Sequence, residues 1–218
     1  MAVGLGPRKD IQLVKAVRQA TGPEILLMVD ANHAYTAREA IPLGRELEQL
    51  GVFWFEEPVA PEDHQGYKAV CHALDMAIAG GEAEFTRWGF RDLIGNRCVD
   101  ILQPETCGLG GITEYCKILA LAHTYFIPVV NDVWGSAVAV ATNLHLLASM
   151  PDLPGAADPI KPMLEYDTTP NRFREELLVK SLAIPEQVKG NGGWVSLPPG
   201  PGLGIEIEFE FMKRFEVQ

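Results

Sequence analysis

No uninterrupted apolar run in this sequence reaches the roughly 18 residues that a membrane-spanning helix requires. That excludes a helical membrane span. The opening string MAVGLGPRKD places charges where a secretion signal would carry its apolar core, so it does not read as a leader. Basic residues are scarce: 18 Lys and Arg stand against 29 Asp and Glu, a net charge of −11. A nucleic-acid binder needs a basic face for phosphate contacts, and that class is excluded. An anionic substrate is not, because a bound divalent cation inverts the local field. Cysteine is also sparse. Cys71, Cys98, Cys107 and Cys116 form no CxxC pair. The preferred reading is free thiols in a reducing cytoplasm, acting as small core residues.

Glycine (21) and proline (16) are plentiful in the 218 residues, which favours many short elements over a few long ones. Apolar runs begin at Ile25, Val52, Met76, Val99 and Ile127 and are four or five residues long. Such runs are too short for helices and fit strands buried on both faces. Between them lie amphipathic stretches at 7–21, 36–50 and 111–125. Another at 135–150 is mostly small and apolar. Strands alternating with helices at this period predict a parallel sheet, either a barrel or a doubly wound sheet. Val3-Gly4 reads as the end of another strand, and Leu164-Glu165-Tyr166-Asp167 as a last short one. That makes about seven strands, where a closed barrel needs eight and typically about 250 residues. The expectation is a partial barrel over 1–167. A loop-rich extension over 168–218, carrying Pro185, Gly190, Gly192, Gly193 and Pro198-Pro199-Gly200-Pro201-Gly202, would wrap it without forming a second domain.

The chemistry follows the strands. The first full run ends at Asp30, the second at Glu56 and the third at Gly80-Gly81-Glu82. The carboxylates at 30, 56 and 82 are evenly spaced, one strand–helix unit apart. Parallel α/β folds keep their active sites at the C-terminal ends of the strands. Three carboxylates meeting there cannot all stay ionised and dry without a cation. A hard ion with oxygen ligands, Mg²⁺ first and Mn²⁺ second, answers that need. The competing reading is that strands often end in an acid because loops are solvated.

Asp30-Ala31-Asn32, Phe55-Glu56-Glu57-Pro58 and Gly80-Gly81-Glu82 together resemble the metal-ligand strands of the enolase superfamily, mandelate racemase-like subgroup. Asp100-Ile101-Leu102-Gln103-Pro104-Glu105 is similar to that family's sixth strand, Val133-Trp134-Gly135-Ser136 to its seventh and Leu164-Glu165 to its eighth. The resemblance covers nearly the whole chain and is nearest to acid-sugar dehydratases and cycloisomerases. It implies a (β/α)7β barrel of the enolase C-terminal type, here incomplete and without the N-terminal capping domain and first barrel unit. It further implies a homo-oligomer and a small carboxylate substrate, an acid sugar. A proton alpha to the substrate carboxylate would be removed with the enediolate stabilised by the metal, followed by dehydration or ring opening. Glu165 would donate a hydrogen bond to the substrate carboxylate.

Two positions depart from the family pattern. Where a catalytic lysine is expected this chain has Ala2, and where the seventh-strand histidine is expected it has Asp132. The histidine's partner aspartate is matched by Glu105, which suggests an Asp132–Glu105 carboxylate pair sharing a proton. Such a pair leaves two readings open, a weak base or acid at Asp132, or a barrel that binds metal and carboxylate without turnover. A racemase needs a base on both faces and ranks last. Asn32 is expected at the pocket. His33 is expected there or capping a loop, and Trp134 as a pocket wall or a support for the Asp132 loop. Glu57 should pair with a neighbouring cation, and Arg87 and Arg91 with surface acids.

Overall fold

The structure is a computed structural model that describes residues 1–153, 155–157, 159–182 and 193–217. Pro185, Gly190 and Gly192 lie outside the described residues. Four strands form one parallel sheet in sequence order: β1 (Leu27–Asp30), β2 (Val52–Glu56), β3 (Ala77–Gly80) and β4 (Ile101–Leu102). Each is followed by a helix. These are α2 (Ala37–Gln49), α3 (His64–Ala73), α4 (Thr86–Gly95) and α5 (Ile112–Thr124), while α1 (Pro7–Thr21) precedes β1 and α6 (Ala137–Ser149) follows the fifth unit.

The sheet extends past its named strands by single bridges. On one side Ala2 pairs with Asp30, with Val3 N donating to Asp30 O at 2.8 Å. On the other, Val129 pairs with Leu102 and Asp132 with Glu105, all parallel. The run at Ile127 was expected to be a strand. It reduces to bridges because Pro128 has no N–H to give. The run at Ile25 starts late, at Leu27, since Ile25 and Leu26 are exposed. The expected strand at Leu164-Glu165 is not formed, and the neighbouring Pro159 and Pro162 interrupt any ladder there.

The helices begin and end where local chemistry dictates. Pro7 opens α1 at the position where a missing N–H costs nothing, and Gly22 closes it at φ 75°. Ahead of α2 the Thr36 N–H and hydroxyl donate to Glu39 Oε2 at 3.0 and 2.7 Å. Asp63 caps α3 by accepting from Gly66 N at 2.8 Å. The buried Asp10 accepts from Gly4 N (2.8 Å), Leu5 N (3.1 Å) and the Tyr35 hydroxyl. These bonds fasten the start of the chain beside β1.

Two apolar layers result. Between helices and sheet, Val14, Leu43, Leu47, Phe55, Val70, Ile78, Phe90, Ile94, Leu102, Tyr115 and Ile118 form the main core. On the other face of the sheet Trp54, Ala79, Ile101 and Val130 form a smaller cluster, against which Met28, Ile160 and Met163 pack. Emptying one main-core site, as in Leu47→Ala, costs about 2–5 kcal/mol. The later segments pack on α6: His145 Nε2 lies 3.2 Å from Leu203 O, and Asn171 Nδ2 donates to Gly135 O at 3.3 Å.

Candidate metal and acid–base centre

Parallel pairing sets the strand ends side by side. Asp30 and Glu56 are register partners at the last residues of β1 and β2, and Glu82 follows β3 by two residues. Main-chain bonds continue the ladder beyond the strands. Ala31 N donates to Glu56 O (2.9 Å), His33 N to Glu57 O (2.9 Å) and Glu57 N to Ala79 O (3.0 Å). Asn32, His33 and Glu57 reach these positions with left-handed backbone, φ 46°, 61° and 43°. That conformation costs about 1–2 kcal/mol per residue for an L-amino acid. Strain gathered at neighbouring strand ends accompanies functional sites.

Each carboxylate is held differently. Asp30 accepts from the Asn32 main-chain N–H at 2.8 Å and from the Asn32 side-chain amide. Glu56 is buried and accepts from Trp54 Nε1 at 3.0 Å. Glu57 is 1 % exposed, and its Oε2 lies 3.0 Å from His33 Nε2. That contact is a close approach without hydrogen-bond alignment, because the same Oε2 has no hydrogen-bond partner.

Burial sets the acidities. It pushes Glu56 up to about 7, with Gln103 pulling back through a side-chain hydrogen bond and the charges of Asp30 and Glu165 pushing further. Glu57 is raised to about 9 by burial, then by Glu82, Asp30 and Glu56. Asp30 is raised by burial, with the Asn32 bonds and the chain's ammonium group opposing. Glu82 is raised by burial and then by Asp30, Glu165 and Glu105. Asp30, Glu56 and Glu82 thus share one electrostatic neighbourhood. They are not the tightest group, however. Among the described residues, the side chains whose donor atoms all lie within 4.8 Å of one another are His33, Glu57 and Glu82.

The Asp132–Glu105 pair expected from the sequence is not formed by the side chains. The two residues are backbone partners, but the Glu105 carboxylate accepts from the amides of Cys107 (3.0 Å) and Gly108 in its own turn. Two N–H donors stabilise an ionised carboxylate better than a second carboxylate can. Asp132 instead hydrogen-bonds with Glu165, whose Oε2 also accepts from Val133 N at 3.1 Å. Burial, then the charge and hydrogen bond of Glu165, raise the Asp132 pKa well above the usual carboxylate range. Trp134 is 70 % exposed and stands outside this buried group. Arg87 pairs with Glu114 and Arg91 with Asp92, each at 2.9 Å. A cleft of about 960 Å³ between α1 and α2 lies on the helical side, lined by Pro7, Ile11, Pro42 and Leu43, and contains none of these carboxylates. No helix among the described residues is long and apolar enough to cross a membrane.

A cation fits this donor set. Burial first, and then the charges of neighbouring acids, Asp30 and Glu165 foremost, raise Glu56, Glu57, Glu82 and Asp132. A dication among oxygen donors relieves that repulsion.

Comparison with known proteins identifies the family of the fold. The family described as enolase C-terminal domain-like matches residues 1–211. A D-galactarolactone cycloisomerase of Agrobacterium fabrum is 40 % identical over 215 residues, covering 99 % of this chain and 55 % of the relative. An arabinonate dehydratase of Saccharolobus solfataricus is 32 % identical over 91 % of this chain and 49 % of its own length. Among solved structures, a 3,6-anhydro-D-galactonate cycloisomerase from Zobellia galactanivorans superimposes with a TM-score of 0.87 at 38 % identity, over 99 % of this chain and 57 % of that one. An L-talarate dehydratase from Polaromonas sp. JS666, complexed with Mg and L-glucarate, gives 0.80 at 29 % identity over 97 % of this chain and 53 % of that one. The chain spans about half the length of the relatives it matches.

Proposed function

The chain belongs to the enolase C-terminal domain-like family, and on that premise we propose that it is the barrel portion of a Mg²⁺-dependent enzyme acting on an acid sugar. The reaction is removal of the proton alpha to the substrate carboxylate, leading to dehydration or to cycloisomerisation. The observation that carries this reading is the register pairing of Asp30 with Glu56, with Glu82 within electrostatic reach of Asp30. Support comes from relatives that are acid-sugar dehydratases and cycloisomerases and from neighbours solved with Mg.

In this reading Asp30, Glu56 and Glu82 hold the cation, and Mn²⁺ can replace Mg²⁺ with the same oxygen ligands. When bound, the ion acts as a Lewis acid that stabilises negative charge developing on the substrate carboxylate. Asn32 fixes Asp30 through two hydrogen bonds and so orients a ligand. Asp132, buried beside the solvent-exposed Glu165, has a raised affinity for its proton, which lets it return one to a leaving hydroxyl or, once ionised, accept one. Glu105, backbone neighbour of Asp132 in the bridge, fixes its own turn beside Asp132. Asn32, His33 and Trp134 are the side chains assigned to substrate contact. Incubation with a panel of sugar acids and Mg²⁺, read as formation of 2-keto acid or ring-opened product, tests the reading.

A second reading has its own observation. Ala2 sits beside Asp30 in a parallel bridge, where the resemblance expects a lysine amine. With a methyl group there and Asp132 in place of histidine, the chain is a barrel that binds metal and carboxylate without turnover. Saturable Mg²⁺ and sugar-acid binding with no product from any panel member supports this second reading over the first.

A further inference from the structure

His33, Glu57 and Glu82 come from three successive strand ends, yet one donor atom of each lies within 4.8 Å of the other two. Hydrogen bonding does not explain the cluster. Glu57 is 1 % exposed, and its Oε2 faces His33 Nε2 at 3.0 Å without a hydrogen-bond partner. His33 Nδ1 is also buried and unpartnered. A buried carboxylate oxygen left without a partner ordinarily costs about 1–3 kcal/mol or more. Two donors each about 2.1 Å from one tetrahedral ion stand about 3.4 Å apart, within a few tenths of an ångström of the 3.0 Å between His33 Nε2 and Glu57 Oε2. The His33 side chain is 28 % exposed, which leaves a path from solvent.

We propose that His33, Glu57 and Glu82 form a second cation site, for a borderline divalent ion of the zinc and cobalt class. An imidazole nitrogen beside two carboxylates favours such ions, whereas Mg²⁺ takes oxygen ligands. Glu82 is shared with the Mg²⁺ site, so the two ions lie side by side with one carboxylate common to both. The site goes beyond the reading above and touches it at Glu82 and at His33, whose imidazole becomes a metal ligand in place of a substrate contact. Three carboxylates, Asp30, Glu56 and Glu82, remain to serve Mg²⁺, while His33 and Glu57 serve the second ion.

The test is Co²⁺ titration of the chelator-stripped 218-residue chain, followed by visible absorption and by metal analysis. The site predicts two Co²⁺ per chain, one displaced by a large excess of Mg²⁺ and one retained with its absorption band. His33→Asn, which tolerates the left-handed backbone at that position, should lose the retained ion and its band and keep the Mg²⁺-displaceable one. Glu57→Gln should do the same, so the outcome does not depend on one variant folding. Asp30→Asn should show the opposite pattern and lose only the displaceable ion. If Asp30→Asn leaves Mg²⁺ binding intact while the retained band persists, the Mg²⁺ assignment fails and the second site stands. One Co²⁺ per chain, fully displaced by Mg²⁺ and unchanged in both His33→Asn and Glu57→Gln, overturns the proposal.

Discussion

The carboxyl group of Asp132 is hydrogen-bonded to that of Glu165, although its neighbour in the β ladder is Glu105. A buried carboxyl group set against a second, exposed one is stabilised by keeping its proton. Asp132→Asn replaces the protonated form with a permanently neutral one. The substitution should change thermal stability little at pH 5, where Asp132 is protonated. It should raise the Tm at pH 9, where the wild type must hold the Asp132 charge in its buried position. Thermal melts of both proteins in EDTA across that range check the sign. If the proposed chemistry holds, the same substitution lowers turnover by about 100- to 10,000-fold.

The whole acidic group should make the metal-free protein less stable as pH rises. Glu56 and Glu57 move from an ordinary value of 4.5 to about 7 and about 9 on folding. Between those limits the folded state holds more protons than the unfolded chain, so stability is fullest below about 4.5 and falls as pH climbs through 7 towards 9. Mg²⁺ binds the ionised forms and opposes the loss. Melting curves in EDTA should slope downward over this window, and those in saturating Mg²⁺ should slope less. A flat EDTA profile would contradict the burial of these charges.

Asn32 should matter through Asp30. Asn32→Ala removes the side-chain amide bond to Asp30 and strains a left-handed position, and should weaken Mg²⁺ binding by about 10- to 100-fold. Asn32→Gly relieves the backbone but not the lost amide. Calorimetric titration of the two variants separates the contributions, and equal affinity in the wild type and both variants would deny Asn32 this role.

Much of the fold was legible in the sequence. The helix expected at 7–21 is Pro7–Thr21, because Pro7 and Gly22 mark its ends chemically. Helices at 36–50, 111–125 and 135–150 lie within two residues of expectation at each end. Strands were less legible, since an apolar run does not reveal where its ladder partners stop, and Pro128 cut one of them to bridges. The site was half legible. Its acids could be read from their even spacing, but their pairing could not. Glu105 turns to the amides of Cys107 and Gly108 because its turn offers donors, a feature of loop geometry absent from strand arithmetic. Alternation along β2 would send Glu56 and Glu57 to opposite faces. Left-handed backbone at Glu57 buries both and brings Glu57 to His33. The signal available in the sequence was the acidic doublet itself, placed between Phe55 and Pro58 with no adjacent basic residue.

Asp10 should prove a structural anchor with an effect on the site. Asp10→Ala leaves the Gly4 and Leu5 amides and the Tyr35 hydroxyl without their acceptor, and should cost about 3 kcal/mol. Urea denaturation measures the loss. Since the same bonds hold the chain start against Asp30, Mg²⁺ affinity should drop as well.

Calorimetric titration of Mg²⁺ into the metal-free wild type and into Asp30→Asn, Glu56→Gln and Glu82→Gln tests the account most directly. One saturable Mg²⁺ per wild-type chain is expected, with affinity reduced by more than about 100-fold in each variant, beyond what a supporting residue costs. Equal Mg²⁺ affinity in the wild type and all three variants would contradict it.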